Sequence, residues 1–520
     1  MKRSSGILMP ISSLPSAYGI GTLGREAYAF ADQLKKAGQE YWQILPLAVT
    51  SYGDSPYQSF STFAGNPYFI DLEKLIEDEL LTEEECDAAD FGMSETSIDY
   101  GKLYENRYDL LRRAYERDLA TRQSEGYREF AEGNSWWLED YALFMAVKDH
   151  FGGKPWLEWD EDIKMRDHDA LSRYWNELIQ DIHFQIYLQY RFRVQWDQLH
   201  QYVNSLGIKI IGDMPIYVSQ DSADAWASCD LFMFDEARNP ILVAGCPPDA
   251  FSATGQLWGN PIYRWENHRN QGYHWWITRV WGALQLYDVV RIDHFRGFDE
   301  YYTIKAGEKT AMHGQWIKGP GQELFAAIRQ AFGDAPIIAE DLGYITPSVR
   351  KLLADCGYPG MKVLQFAFDS REPSEYLPHT YTRNCVVYTG THDNDTLVGW
   401  YTKGLSKEDR AYAHEYLHLP EDATPQELCW EFIRAAMMSV ADLCVVPMHD
   451  FLELGSEARI NFPSTVGTNW KWRMEKNAFT DKLAEKILRM TRLYGRTAPL
   501  PRKPEKAKKK AQKDAPKEAE

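Results

Sequence analysis

Short apolar runs alternate with longer amphipathic stretches along most of the chain. Read as β-branched or alternating segments bounded by turn residues, the runs predict eight strands: Gly6–Leu8, Trp42–Leu45, Ile208–Ile211, Val289–Asp293, Ile337–Glu340, Met361–Phe366, Cys385–Tyr388 and Cys444–Met448. Between them, apolar positions at helical spacing predict helices near 24–37, 187–205, 321–333, 347–355 and 426–443. Strands that alternate with helices form parallel sheets. Eight of them fit a closed (β/α)8 TIM barrel of the α/β class better than an open doubly wound sheet. Two stretches break the alternation. Residues 71–183 are charged, Trp-rich and helical in pattern, and residues 219–265 are loop-like and rich in Gly, Pro and aromatics. Both leave the C-terminal ends of strands, the face on which barrel enzymes carry their chemistry. The expected organisation is therefore one catalytic unit over residues 1–500 with two insertions. The basic stretch 501–520, with only Ala and Pro as apolar residues, is expected to be disordered.

Composition narrows the function. The 520 residues include 57 Lys+Arg against 76 Asp+Glu, a net charge of −19 that argues against a general nucleic-acid binder. Aromatics reach 14%, with 18 Trp and 31 Tyr; most are expected in the core, and some surplus is suggestive of a binding role. The seven Cys are scattered without a CxxC pair, so neither a disulfide framework nor a zinc knuckle is indicated. The apolar run at the N-terminus is broken by Pro10, too short for a signal peptide. No stretch reaches the ~18 apolar residues of a membrane span. These features predict a cytoplasmic protein.

The chemistry gathers at strand ends. The third strand runs into Asp213, the fourth into Arg291-Ile292-Asp293-His294, the fifth into Glu340-Asp341, and the seventh into Thr391-His392-Asp393-Asn394-Asp395. Side chains two apart on a strand share a face, so Arg291 and Asp293 point the same way, and the guanidinium is expected to keep Asp293 ionised. Acids crowded on one face push their pKa values apart, which is what a retaining glycosidase needs from its nucleophile and its general acid/base. Asp293 is the natural nucleophile. Glu340, following the apolar Pro336-Ile337-Ile338-Ala339, is the natural proton donor, and Asp393 with His392 is placed to hold sugar hydroxyls. Asp213 is the weakest member, a structural role being the stronger expectation. The competing reading of an Asp/Glu/His cluster is a metal site. His294 and His392 have no second His at ligand spacing, and the HExxH string His414–His418 lies apart from the strand-end acids. No metal and no cofactor is expected.

Together these motifs resemble the amylomaltases, or disproportionating enzymes: 4-alpha-glucanotransferases of the alpha-amylase clan. The similarity runs from about Ser4 to Arg496. It rests on Ser55-Pro56-Tyr57-Gln58-Ser59, Gly65-Asn66-Pro67-Tyr68, Gly212-Asp213-Met214-Pro215-Ile216-Tyr217-Val218, the long loop 245–261, Arg291–Gly297, Ala339–Gly343, Thr391–Asn394 and a closing string from Arg459 to Arg473. The family usually carries Gly where this chain has Ser464. The resemblance implies Asp293 as nucleophile, Glu340 as acid/base, Asp393 as transition-state stabiliser, and a barrel with inserted subdomains but no C-terminal β-sandwich. Loop 245–261 reads as a lid, with Phe251 and Trp258 covering the intermediate and Asp249 and Asn260 binding hydroxyls. Tyr57 and Phe366 are candidate stacking platforms, and Arg291, His294, His392 and Asp213 complete the expected substrate contacts. The expected partners are a maltooligosaccharide donor and acceptor, glucose also serving as acceptor, with no nucleic acid or membrane, and the protein a monomer or homodimer. An alpha-glucan hydrolase of the same clan and a non-catalytic glycan-binding barrel remain as alternatives.

Overall fold

The computed structural model describes residues 2–51, 53–248 and 252–497. The tail 501–520, and with it the expected disorder, lies outside the described residues.

Twelve strands occur in chain order: β1 (Ser4–Leu8), β2 (Tyr41–Gln43), β3 (Lys209–Met214), β4 (Leu242–Cys246), β5 (Gln256–Pro261), β6 (Val289–Ile292), β7 (Glu300–Lys305), β8 (Gln315–Lys318), β9 (Ile337–Ala339), β10 (Gly360–Val363), β11 (Cys385–Tyr388) and β12 (Leu443–Pro447). Eight of them form one sheet in the order β10-β11-β12-β1-β2-β3-β6-β9, and every pairing is parallel. These are the eight expected strands, with ends that differ from the expectation by at most three residues. The sheet curls into a (β/α)8 barrel whose seam lies between β9 and β10. There the Ala339 N–H donates to Pro359 O at 3.0 Å, and the Met361 N–H donates to the Asp341 carboxylate at 2.6 Å. Asp341 thus fastens the seam. Gly360 makes that possible, because a Cβ there would sit 2.5 Å from the Asp341 carboxylate. The barrel strands are buried along almost their whole length, as the β-branched runs of a sheet covered on both faces require.

The helices follow the amphipathic pattern, at Arg25–Lys36, Gln322–Phe332, Pro347–Cys356 and Pro425–Met438. Between β2 and β3 lies a set of helices dominated by Ser135–His150 and Ile179–Ser205, which pack on each other. The second irregular stretch differs from its loop-like expectation. β4 and β5 pair antiparallel and belong to a four-stranded sheet, β5-β4-β7-β8. Its other half follows β6 and was not expected to form strands. Among the described residues, no helix is long and apolar enough to cross a membrane.

Candidate active site

Parallel register builds the floor of the site. Asp213 on β3 lies directly across from Arg291 on β6, so two oppositely charged side chains share one inward face. One guanidinium nitrogen of Arg291 donates to both Asp213 oxygens, at 2.8 and 2.6 Å, and to Asp293 at 3.0 Å. The Asp213 and Arg291 side chains are essentially inaccessible, whereas the Asp293 side chain is 29% exposed. Tyr57 donates its hydroxyl to Asp213 at 2.7 Å. Arg291 is therefore claimed first by Asp213. That corrects the expectation that its pairing holds Asp293 ionised. Burial pushes Asp293 up, Arg291 pulls it down, and the negative charges of Asp213 and Glu340 push it up again, leaving it raised to about 7.

Glu340 sits at the next strand end. Its carboxylate accepts the His294 N–H at 2.7 Å and the Leu342 N–H at 2.8 Å, while its own N–H is fixed to Ile292 O at 2.9 Å. Desolvation outweighs those donors and the pull of Arg291, so its pKa is raised, as a proton donor requires. His294 adopts a left-handed conformation (φ 50°), which turns the chain sharply after Asp293. Burial lowers the His294 imidazole to about 4, so it is neutral near pH 7. Trp258 of β5 meets the His294 ring edge-on at 5.0 Å, and its indole N–H is held by Gln256 at 3.1 Å. Asn260 spends its amide within the protein, donating to Val218 O at 2.7 Å and accepting from Gln58 at 3.0 Å. Asp249 and Phe251 lie outside the described residues.

Asp393 stands on the opposite side, on the loop after β11, with its side chain 45% exposed. His392 stacks on Tyr57, with ring centroids 4.9 Å apart and planes at 16°, and faces the Asp393 carboxylate at 3.4 Å. Tyr57 so joins the two halves, touching Asp213 through its hydroxyl and His392 through its ring. Phe366 packs edge-on against Tyr376 at 5.5 Å and makes no ring contact with the acid cluster among the described residues.

Three residues of this half had no signal of their own in the sequence. Asn461 donates to the Asp393 carboxylate at 2.6 Å, and Arg459 donates to its backbone carbonyl at 2.8 Å. Both lie in the closing string Arg459–Arg473, which carried no role. Asp450, beyond β12, is completely buried. It accepts the Thr389 hydroxyl at 2.7 Å and the Leu397 N–H at 2.8 Å, gripping both ends of the loop that bears His392 and Asp393. Burial raises it to about 7. The HExxH string forms no two-imidazole face. Its helix ends at Leu417, His418 is left-handed, and His414 is bonded to the Tyr401 hydroxyl at 2.9 Å.

The arrangement offers two carboxyls of raised pKa at adjacent strand ends, Glu340 buried and Asp293 partly buried, faced by a third, more exposed one. The sequence profile of the 4-alpha-glucanotransferase family matches residues 9–479. The chain is 51% identical over 489 residues to a 4-alpha-glucanotransferase of Clostridium butyricum, covering 94% of this chain and 100% of the relative. It is 46% identical over 484 residues to one of Thermus thermophilus, covering 91% and 95%. Among solved structures, an amylomaltase from Streptococcus agalactiae in complex with acarbose superposes with a TM-score of 0.92 at 42% identity, covering 96% of this chain and 100% of that one. An amylomaltase from Corynebacterium glutamicum, 21% identical with a TM-score of 0.73, covering 95% and 74%, shares the fold. The match across nearly the whole chain, on a barrel whose strand ends carry these acids, means that the chain belongs to the 4-alpha-glucanotransferase family.

Proposed function

We propose that the enzyme transfers α-1,4-glucan segments between maltooligosaccharides by a retaining double displacement at Asp293. The observation that carries the reading is the shared environment of Asp293 and Glu340, two carboxyls at adjacent strand ends whose pKa values burial raises together. The productive arrangement has one proton on the pair, held by Glu340. Glu340 gives that proton to the glycosidic oxygen as the bond to C1 breaks, and Asp293 attacks C1 to form a glucosyl ester. The leaving segment departs with its hydroxyl restored. An acceptor hydroxyl then attacks C1, Glu340 removes its proton, and Asp293 is released as carboxylate. Arg291 stabilises that carboxylate, and Asp393, oriented by Asn461, binds ring hydroxyls.

Transfer prevails over hydrolysis when the acceptor is held in attacking geometry and water is kept out. Trp258 beside His294 supports such a cover over the nucleophile. Glucose is read as a competent acceptor. The scattered cysteines without a CxxC pair suit a cytoplasmic site of action. Maltotriose supplied alone tests the reading: glucose accompanied by longer oligomers supports transfer. Reducing ends that climb without longer products would make the enzyme a hydrolase. Capture of a glucosyl adduct on Asp293 in the Glu340→Gln variant identifies the nucleophile.

A further inference from the structure

Arg291 has a third partner besides the two acids. Its Nε–H donates to the Met361 sulfur at 3.4 Å, while Nη1 carries the bonds to Asp213 and Asp293. Met361 is 1% exposed and lies on β10, across the seam from β6 and β9. Side chains alternate along a strand, so Met361 reaches into the barrel while Gly360 faces the Asp341 carboxylate. β9 and β10 share no strand ladder among the described residues. The level of Met361 is fixed instead by its own N–H, which donates to Asp341 at 2.6 Å, and by the Ala339 N–H, which donates to Pro359 O at 3.0 Å. Closing the seam thus delivers a sulfur to Arg291.

A buried N–H left without an acceptor keeps its full desolvation cost. A thioether answers it as a weak, uncharged acceptor. A carboxylate in that place would draw the positive charge away from Asp213 and Asp293. A Leu of similar volume would offer no acceptor at all. Sulfur satisfies the Nε–H and leaves the charge to the two acids. It also limits how the guanidinium can turn. Asp213 holds Nη1 through two oxygens, at 2.8 and 2.6 Å, and Asp293 holds it through one at 3.0 Å. Without a third point of attachment the guanidinium would settle on Asp213, away from Asp293.

We infer that Met361 is a positioning residue, whose sulfur holds the Arg291 guanidinium at the angle that serves Asp213 and Asp293 together. The inference rests on the role proposed above for Asp293. Met361 acts through Arg291 alone. The titratable groups whose charges reach Arg291 or Asp293 include Asp213, Glu340, Tyr57, Tyr388 and His392. A substitution at position 361 alters none of them, so a displaced pH limb reports the place of the guanidinium.

The test compares Met361→Leu with Met361→Gln in the full-length enzyme. Leu keeps the volume and removes the acceptor, whereas Gln keeps the length and supplies an oxygen acceptor. Met361→Leu is expected to lower kcat on maltotriose about fivefold, with KM little changed, as a small misplacement of a catalytic contact does. Its acid limb of kcat/KM should move up by about half a pH unit, because Asp293 loses part of the cation that pulls it down. Met361→Gln should return the limb to within about 0.2 of its original pH and recover most of kcat. A packing role predicts the reverse order, since a Leu suits a dry barrel better than a buried amide. An unmoved limb in Met361→Leu overturns the inference. So does a limb displaced equally in both variants. Met361→Leu decides alone if Met361→Gln does not fold. Release of reducing ends reads the same limbs, so an enzyme that hydrolyses instead of transferring sinks the proposed transfer and leaves the role of Met361 standing. A glucosyl adduct trapped on a residue other than Asp293 would sink the proposed function, whatever the limbs of the two variants.

Discussion

The two sides of the reaction site are built by different means. The Asp213–Arg291–Asp293–Glu340 side is strand-built: cross-strand register sets the partners, and the Asp213–Arg291 pair is sealed from water. The His392–Asp393 side is loop-built. Its acid is 45% exposed, and its position is imposed from outside by Asn461, Arg459 and Asp450. The first side fixes charge in a low-dielectric place where each added or removed charge moves its neighbours' pKa values. The second side fixes geometry while leaving its carboxylate near solvent, suited to sugar hydroxyls that arrive and leave. Mutations on the strand-built side should therefore shift pH profiles, and those on the loop-built side should lower turnover without moving them.

Arg291→Ala makes the largest break. It removes the cation that pulls Asp293 down, so the acid limb of kcat/KM should move above pH 7. kcat should fall at least about a hundredfold, the scale expected for losing one preorganised electrostatic contact. The buried Asp213 also loses its partner, a change that typically costs about 3–5 kcal/mol of stability. Arg291→Lys restores charge without the planar fork and should recover the pH limb better than kcat. Steady-state pH profiles on maltotriose, beside denaturant unfolding, read both. An acid limb that stays in place in Arg291→Ala would dissolve the distinction between the two sides.

Asp213→Asn should move the limb the opposite way. It deletes a negative charge that raises Asp293 and frees Arg291 for it, so the acid limb is expected below that of the unaltered enzyme. The loss of turnover should be smaller than for Arg291→Ala. Opposite displacements from two neighbours in one ion pair are hard to obtain from a general loosening of the barrel.

These two residues also show what sequence makes legible. The barrel was readable because each strand is a short apolar run, and the site because four of the eight end in charged motifs that carry the acids. Arg291 was read toward Asp293 because two residues apart on a strand share a face. The stronger partner, Asp213, lies 78 positions away and becomes adjacent only through β3–β6 register. Asp450 and Asn461 were hidden for the same reason, since each acts on a loop dozens of residues earlier in the chain. The β4–β5–β7–β8 sheet was missed on local grounds. Gly245, Gly259 and Pro261 interrupt the alternation that announces strands, and β7–β8 fall between the fourth barrel strand and the helix near 321–333, where no element was expected.

Asp450→Asn probes the loop-built side. Both of its partners, the Thr389 hydroxyl and the Leu397 N–H, are donors. The Asn amide presents an N–H to one of them, leaving a buried donor unsatisfied at about 1–3 kcal/mol. The His392–Asp393 loop then loses one of its two anchor points, and kcat is expected to fall roughly tenfold with the acid limb unmoved, on the scale of a positioning effect. Stability gives an independent reading. Asp450 titrates at about 7 when folded, against roughly 3.9 unfolded. The folded state therefore holds a proton that the unfolded state releases. This contribution is complete below about pH 4 and is lost as the pH rises through about 7. That component of the stability–pH curve should vanish in Asp450→Asn. A shifted acid limb would instead place Asp450 in the electrostatics of the other side.

The smallest effect is expected at Ser464, in the string that supplies Asn461. Ser464 is exposed and adopts φ 65°, the left-handed region where a Cβ is strained by roughly 1–2 kcal/mol and Gly is not. The Gly that the family resemblance leads one to expect at this position would suit this backbone better than Ser464. Ser464→Gly should release the strain but also add chain entropy to the unfolded state, which offsets roughly 0.4–1 kcal/mol. The net expectation is a gain of about 0.5 kcal/mol in denaturant unfolding, with kcat, KM and the pH limb unchanged. Asn461 reaches Asp393 through its own side chain, and its backbone is fixed to His392 O at 3.0 Å, three residues before the strained position. If Ser464→Gly lowers kcat, the strained turn itself sets the place of Asn461. The loop-built side would then extend further from the acid than its hydrogen bonds indicate.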